Sequence, residues 1–144
     1  MATRVDFYVL EGADDRARLV YACRLVEKAY QQQHTVCVAV DTPAAAEALD
    51  ALLWTFSDQS FVPHAVAGEG AVAALPPGMP VQVASGHAVA ADLLVNLCQD
   101  VPTAYENYPR VAEFVDADPA RRDAGRRRFA HYRDRGHPPE THRV

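Results

Sequence analysis

The sequence predicts an α/β fold: one three-layer, Rossmann-like domain with a mostly parallel sheet of about five strands and helices on both faces. Three observations carry this reading. Two strand–helix–strand units follow one another at the start of the chain, and that order implies parallel pairing through crossover helices. Thr35–Val40 is apolar at nearly every position, as in a strand covered on both faces. Thr42-Pro43 and Asp118-Pro119 each place a capping side chain before a proline suited to the first helical position.

The 144 residues suit one domain, and 49% apolar with 23% charged residues is the balance of a packed globule rather than a disordered chain. Residues 1–136 are expected to form that domain, and the polar tail 137–144 is expected to be disordered. No apolar run approaches the length of a membrane-spanning helix. The chain opens on a strand rather than a basic-then-apolar leader, so a cytoplasmic location and no membrane contact are expected.

The elements follow in order. Arg4–Leu10 is β-branched and aromatic and breaks at Gly12, giving a first strand. Ala13–Tyr30 is a helix with Asp14 and Asp15 at its positive end and Leu19, Ala22, Cys23, Val26 and Ala29 on one face. After the Thr35–Val40 strand, Ala44–Trp54 is a second helix. The stretch from Thr55 to Pro80 reads as turns with one short extended piece. Val81–Ser85, Asp92–Cys98 and Arg110–Val115 are further strands, and Tyr105–Tyr108 is too short to assign. A helix then runs from Asp118-Pro119 to about Arg135, where Gly136 and Pro138-Pro139 stop it.

Signals for catalysis are weak. Cys23, Cys37 and Cys98 sit singly in apolar stretches, as buried reduced thiols do, and the six histidines show no zinc spacing. The turn after the first strand, Leu10–Asp15, holds one glycine and three carboxylates, which would repel phosphate. Ser85-Gly86-His87 ends a strand but lacks a nucleophile elbow. No cofactor or metal is expected, and no catalytic residue is assigned.

The charge distribution is unusual. Residues 121–135 contain seven Arg against two Asp, a local +5 in a chain of net −5. On a helix of about 100° per residue, Arg122, Arg126, Phe129 and Arg133 fall within an arc of about 60°. Guanidinium forks bind carboxylates and phosphates. An otherwise acidic protein would repel a long polyanion, so a short acidic peptide with an apolar end fits this stripe better. A second feature is the group Trp54, Phe56 and Phe61 around a polar turn, readable as core or as an aromatic contact surface.

These residues resemble one family, the chi subunit of the bacterial DNA polymerase III clamp-loader assembly. The resemblance rests on Phe7-Tyr8-Val9-Leu10, the Cys23–Tyr30 helix end, and Leu49-Asp50-Ala51-Leu52-Leu53-Trp54 followed by Ser60-Phe61-Val62-Pro63-His64 and Ala67-Gly68-Glu69-Gly70. Asn96-Leu97, Glu113-Phe114-Val115 and Arg126-x-x-Phe129-x-x-Tyr132-Arg133 complete it. It implies a Rossmann-like adaptor without nucleotide, an accessory subunit with no catalysis of its own. One surface, matched here by Trp54, Phe61 and Pro63, would bind the psi subunit or an iron–sulfur helicase. A separate surface would bind the acidic tail of single-stranded DNA-binding protein, which ends in Ile-Pro-Phe. Its positions match Val115, Arg122, Arg126 and Phe129, with Arg133 on the same stripe. A lysine of the best-known members is Ala130 here. The expected state is a monomer alone and a heterodimer with its partner, touching DNA only indirectly. Two alternatives stand beside this reading: an enzyme using a nucleotide or phosphate on a Rossmann-like sheet, and a direct nucleic-acid binder acting through the arginine helix.

Overall fold

A computed structural model of the chain describes residues 3–56, 64–66, 80–85 and 89–144. Its strands are β1 (Arg4–Val9), β2 (Val36–Val40), β3 (His64–Val66), β4 (Val81–Ser85), β5 (Leu93–Asn96), β6 (Arg110–Val115) and β7 (Glu140–Arg143). Its helices are α1 (Asp15–Gln31), α2 (Pro43–Thr55) and α3 (Pro119–Asp134), with a single 3-10 turn at Tyr105–Asn107. The strands form one sheet in the order β3-β4-β2-β5-β6-β1-β7, and every pairing is parallel.

Alternation along each strand sends side chains to two separate cores. Tyr8, Val36, Val38, Val40, Leu93 and Phe114 face α1 and α2, meeting Ala22, Cys23, Val26, Leu49 and Leu53. Val5, Phe7, Cys37, Ala39, Leu94 and Val111 face the opposite side, where Tyr105, Tyr108, Tyr132 and Phe129 cover them. The result is the three-layer α/β architecture expected from the sequence. Its sheet has seven strands among the described residues rather than about five.

The capping signals act as their chemistry predicts. Thr42 accepts from the Ala45 N–H at 3.1 Å, and Asp118 accepts from the Arg121 N–H at 3.0 Å. At the end of α3, Gly136 takes a φ of 85°, its N–H reaches the Arg133 carbonyl, and the His137 N–H reaches the Tyr132 carbonyl. That is a Schellman stop, which needs the left-handed conformation glycine adopts without strain.

The polar tail corrects one expectation. Residues 137–144 are not a loose end: Glu140–Arg143 is an edge strand paired with β1 from Asp6↔Glu140 to Val9↔Arg143. Its composition resembles a disordered tail because an edge strand carries charged side chains. His142 Nε2 lies 2.9 Å from Asp6 Oδ1, and its ring stacks on Tyr8 at a centroid distance of 5.1 Å. Arg4 and Arg110 also pair with the buried Asp6. Burial alone would raise the Asp6 carboxyl, but these partners hold it below its ordinary value of 3.8.

One buried polar cluster joins the sheet to α3. Glu113 on β6 has no solvent exposure. Arg128 Nε donates to its Oε1 at 2.8 Å, while Tyr132 Oη and Asn96 Nδ2 donate to Oε2 at 2.6 and 2.8 Å. Arg128 Nη1 also donates to the Gln99 carbonyl at 3.0 Å. Burial pushes the Glu113 carboxyl above its ordinary value, and Arg128, Asn96 and Tyr132 offset only part of that rise. Arg128→Ala should therefore leave a buried carboxylate without its cation and cost roughly 3–5 kcal/mol of stability. Chemical denaturation measures this. Adding Glu113→Gln to that variant should recover part of the loss, and a loss near zero for Arg128→Ala alone would refute this role for the pair.

Candidate functional site

β1, β6 and β7 lie side by side beneath α3, and their alternation fixes which side chains face it. Phe7 and Val9 of β1 are in register with Thr141 and Arg143 of β7, and Val9 also pairs with Val115 of β6. These residues floor a cavity of about 210 Å³ between the sheet and α3. Phe129 closes one side with its ring 5.3 Å from that of Phe7, edge to face. Arg122, Arg126 and Arg143 form the polar rim.

Gly125 sets how closely α3 approaches. A Cβ built there would lie 2.9 and 3.1 Å from the two methyl carbons of Val115. Any side chain at this position would lift the helix from β6 or displace Val115, which is itself a wall of the cavity.

The charges on α3 then sort into two groups. Arg121 grips the buried Asp116 with a fork, Nε at 3.0 Å and Nη2 at 2.8 Å. Burial alone would raise Asp116, but hydrogen bonds from Arg121 and the Asp118 N–H bring it below 3.8. Arg127 pairs with Asp123, Arg128 with Glu113, Arg133 with Asp134 and Arg135 with Glu106. Arg122 and Arg126 have no carboxylate partner among the described residues, and both border the cavity. Among the described residues only Asp123 and Asp134 pair with arginines along the helix itself, and three further acidic partners, Glu106, Glu113 and Asp116, come from outside it.

Of the site residues assigned from the sequence, Arg122, Arg126 and Phe129 of the helical stripe and Val115 from the family resemblance converge on this cavity. Arg133 does not: its guanidinium lies 3.2 Å from Asp134, and it is absent from the cavity wall. Sequence reasoning missed Phe7, Val9, Gly125, Thr141 and Arg143. A glycine inside a helix, which costs about 1 kcal/mol relative to alanine, was a legible sign of close approach. Arg143 gave no sign, because its segment read as tail.

The second assigned surface is partly described. Trp54 is 49% exposed at the end of α2, with its ring 4.4 Å from that of the buried His64. His64 Nε2 lies 3.1 Å from both the Asp50 carbonyl and an Asp50 carboxylate oxygen. Phe61 and Pro63 lie outside the described residues, as do Gly68, Gly70, Gly86 and His87.

The groups that could suggest enzymatic chemistry have structural uses. Asp14 fills the N-terminus of α1 by accepting from the Arg16 N–H at 3.0 Å, where a phosphate would otherwise sit. The Ala117 N–H donates to the Gly12 carbonyl, tying that turn to the end of β6. Burial pushes the thiols of Cys23 and Cys98 up to about 12. Asp6, Glu140 and His142 group closely enough to suggest a metal. Arg4 and Arg110 already hold Asp6, so cations occupy that carboxylate.

Comparison with known proteins agrees with the resemblance in the residues. The chain matches the family of the DNA polymerase III chi subunit, HolC, over residues 2–140. It is 42% identical over 142 residues to the DNA polymerase III subunit chi of Pseudomonas aeruginosa, covering 99% of this chain and 97% of that one. It is 26% identical over 147 residues to the Haemophilus influenzae subunit chi, covering 100% and 99%. For the Escherichia coli subunit chi the identity is 27% over 117 residues, covering 79% and 77%.

The Gly125–Val115 approach is directly testable. Gly125→Ala gains up to about 1 kcal/mol in helix propensity but overpacks the contact by roughly 1–3 kcal/mol. The variant should melt below the parent, and adding Val115→Ala should relieve the clash. A Gly125→Ala protein more stable than the parent would show that α3 is not held this close.

Proposed function

Because the chain belongs to the DNA polymerase III chi subunit family, we propose that it is a non-catalytic adaptor in DNA replication. In this reading it couples the clamp loader to single-stranded DNA-binding protein, in the cytoplasm. The observation that carries it is a pair of arginines without carboxylate partners among the described residues, Arg122 and Arg126, beside an apolar cavity floored by Val115 and walled by Phe129. An acidic peptide with an apolar C-terminal residue complements both halves of that site.

The chemistry follows from the two halves. The peptide's final aromatic ring enters beside Phe129 and Val115. Arg126 clamps the terminal carboxylate or a neighbouring Asp, and Arg122 meets acidic residues further up the tail. An exposed ion pair contributes roughly 0–1 kcal/mol, whereas burying an aromatic side chain contributes roughly 1.5–3 kcal/mol. The apolar anchor therefore dominates, and the arginines select for acid and set the salt dependence. Direct grip on DNA by α3 is less favoured, since five of its seven arginines between residues 121 and 135 are already paired.

Trp54, with Phe61 and Pro63, forms the other contact surface in this proposal, for a psi-type subunit or a helicase. An exposed Trp at a helix end, backed by a buried His, has the form of a contact anchor.

Calorimetric titration with the tail peptide tests the first surface. Arg126→Ala and Phe129→Ala should each weaken binding more than Arg122→Ala, and removing the peptide's last Phe should nearly abolish it. Equal affinity for the intact and shortened peptides would falsify this site. Preferential binding of a naked oligonucleotide would favour the nucleic-acid reading instead.

Trp54→Ala tests the second surface. The folded variant should lose clamp-loader or helicase partners in co-purification while keeping the tail peptide at parental affinity. Retained partners would remove Trp54 from the interface, and loss of both activities would show that the two surfaces are not separate.

A further inference from the structure

The C-terminal edge strand has two different faces. Glu140 and His142 lie in register with Asp6 and Tyr8; His142 pairs with Asp6 and stacks on Tyr8, and Glu140 accepts from Arg4. Thr141 and Arg143 lie in register with Phe7 and Val9 and point to the opposite side, into the cavity beneath α3. The Val144 N–H adds a bond to the Val9 carbonyl at 3.0 Å, so the backbone is held on both sides of Arg143. The latch on one face thus fixes the position of the cation on the other.

Arg143 also lacks a carboxylate partner among the described residues, like Arg122 and Arg126. It borders a second cavity of about 220 Å³ as well, which shares Val9 and Arg122 with the first. Arg122 from α3 and Arg143 from β7 therefore border both cavities. The second is also lined by Asp116, whose carboxylate Arg121 holds, and by the exposed Glu11. An acidic chain leaving the first cavity for the second would pass both guanidinium groups.

We propose that β7 is a wall of the peptide site and that Arg143 is its third arginine, pairing with an acidic side chain upstream of the peptide's terminal residue. The proposal rests on the acidic-tail reading above and extends it to a strand that reading does not include.

The test is a set of calorimetric titrations on the full chain: parent, Arg143→Ala, Arg143→Gln, Arg126→Ala, and Arg127→Ala as a control paired outside the cavity. The ligands are the acidic tail peptide and versions with single upstream Asp residues changed to Asn. Arg143→Ala and Arg143→Gln should weaken the acidic peptide about two- to fivefold at low salt. That difference should close toward 1 M salt, where the Debye length falls to about 3 Å. For one Asp→Asn peptide, parent and Arg143→Gln should bind alike, which identifies the partner carboxylate and separates pairing from any loosening of β7. Parental affinity in both Arg143 variants, with Arg126→Ala still impaired, overturns this inference and leaves the tail site standing. No binding of the peptide by the parent overturns the tail site and this inference together.

Discussion

The Glu113 carboxylate is the point on which the placement of α3 depends. It projects from β6 into a space with no solvent, where it must find hydrogen-bond donors or destabilise the fold. Two come from α3 at positions 128 and 132, one helical turn apart, and one comes from Asn96 on β5. Replacing such a cluster by apolar residues could be as stable, so its value is better sought in specificity than in net energy. A carboxylate with Arg and Tyr donors spaced by four residues permits one rotation of the helix and one axial position.

That rotation decides everything on the helix's other faces. With Arg128 and Tyr132 turned to Glu113, Gly125 and Phe129 descend toward Val115 and Phe7. Arg122 and Arg126, near them on the helical wheel, come to the rim of the same cavity. The remaining arginines reach carboxylates on the helix itself, at Asp116, or at Glu106 in the 3-10 turn. Among the described residues, the arginine-rich helix of this acidic protein is thus mostly neutralised, and Arg122 and Arg126 keep positive charge without a carboxylate partner. Screening in cellular salt reaches about 8 Å, so a localised group of guanidinium ions recognises only an anion that docks against it.

Much of this was legible in the sequence because it follows from local rules. Val36–Val40 is apolar throughout because α1 and α2 cover one face and the Tyr105–Tyr108 segment lies over the other. The caps at Thr42 and Asp118 and the stop at Gly136 depend on near neighbours. Helical spacing alone brought Arg122, Arg126 and Phe129 together. Arg133 satisfied the same spacing, yet it lies one turn further along the axis, past the cavity, and angular periodicity carries no information about axial position. The pairing of α3's arginines was hidden for a related reason: Glu106, Glu113 and Asp116 are neighbours only in the fold. β7 was hidden because a polar edge strand and a polar disordered tail share a composition, and only the pairing with β1 distinguishes them.

The same fold elsewhere supports catalysis at the C-terminal ends of its strands, and the groups found there show how this chain uses that region instead. Asp14 caps the α1 N-terminus that could have cradled a phosphate. Asp116, just past β6, is consumed by Arg121 and holds the start of α3. Cys98, beyond β5, sits among carboxylates and apolar groups that push its thiol up to about 12, far from a reactive thiolate at neutral pH. Polar chemistry that an enzyme would leave poised for substrate is here closed into hydrogen bonds between elements. Among the described residues, the arginines without a carboxylate partner at the side of the sheet, Arg122 and Arg126 on α3 and Arg143 on β7, border the cavity instead. The charges at the strand ends are spent on holding the helices, which is how a non-catalytic subunit of this family can use a Rossmann-like sheet.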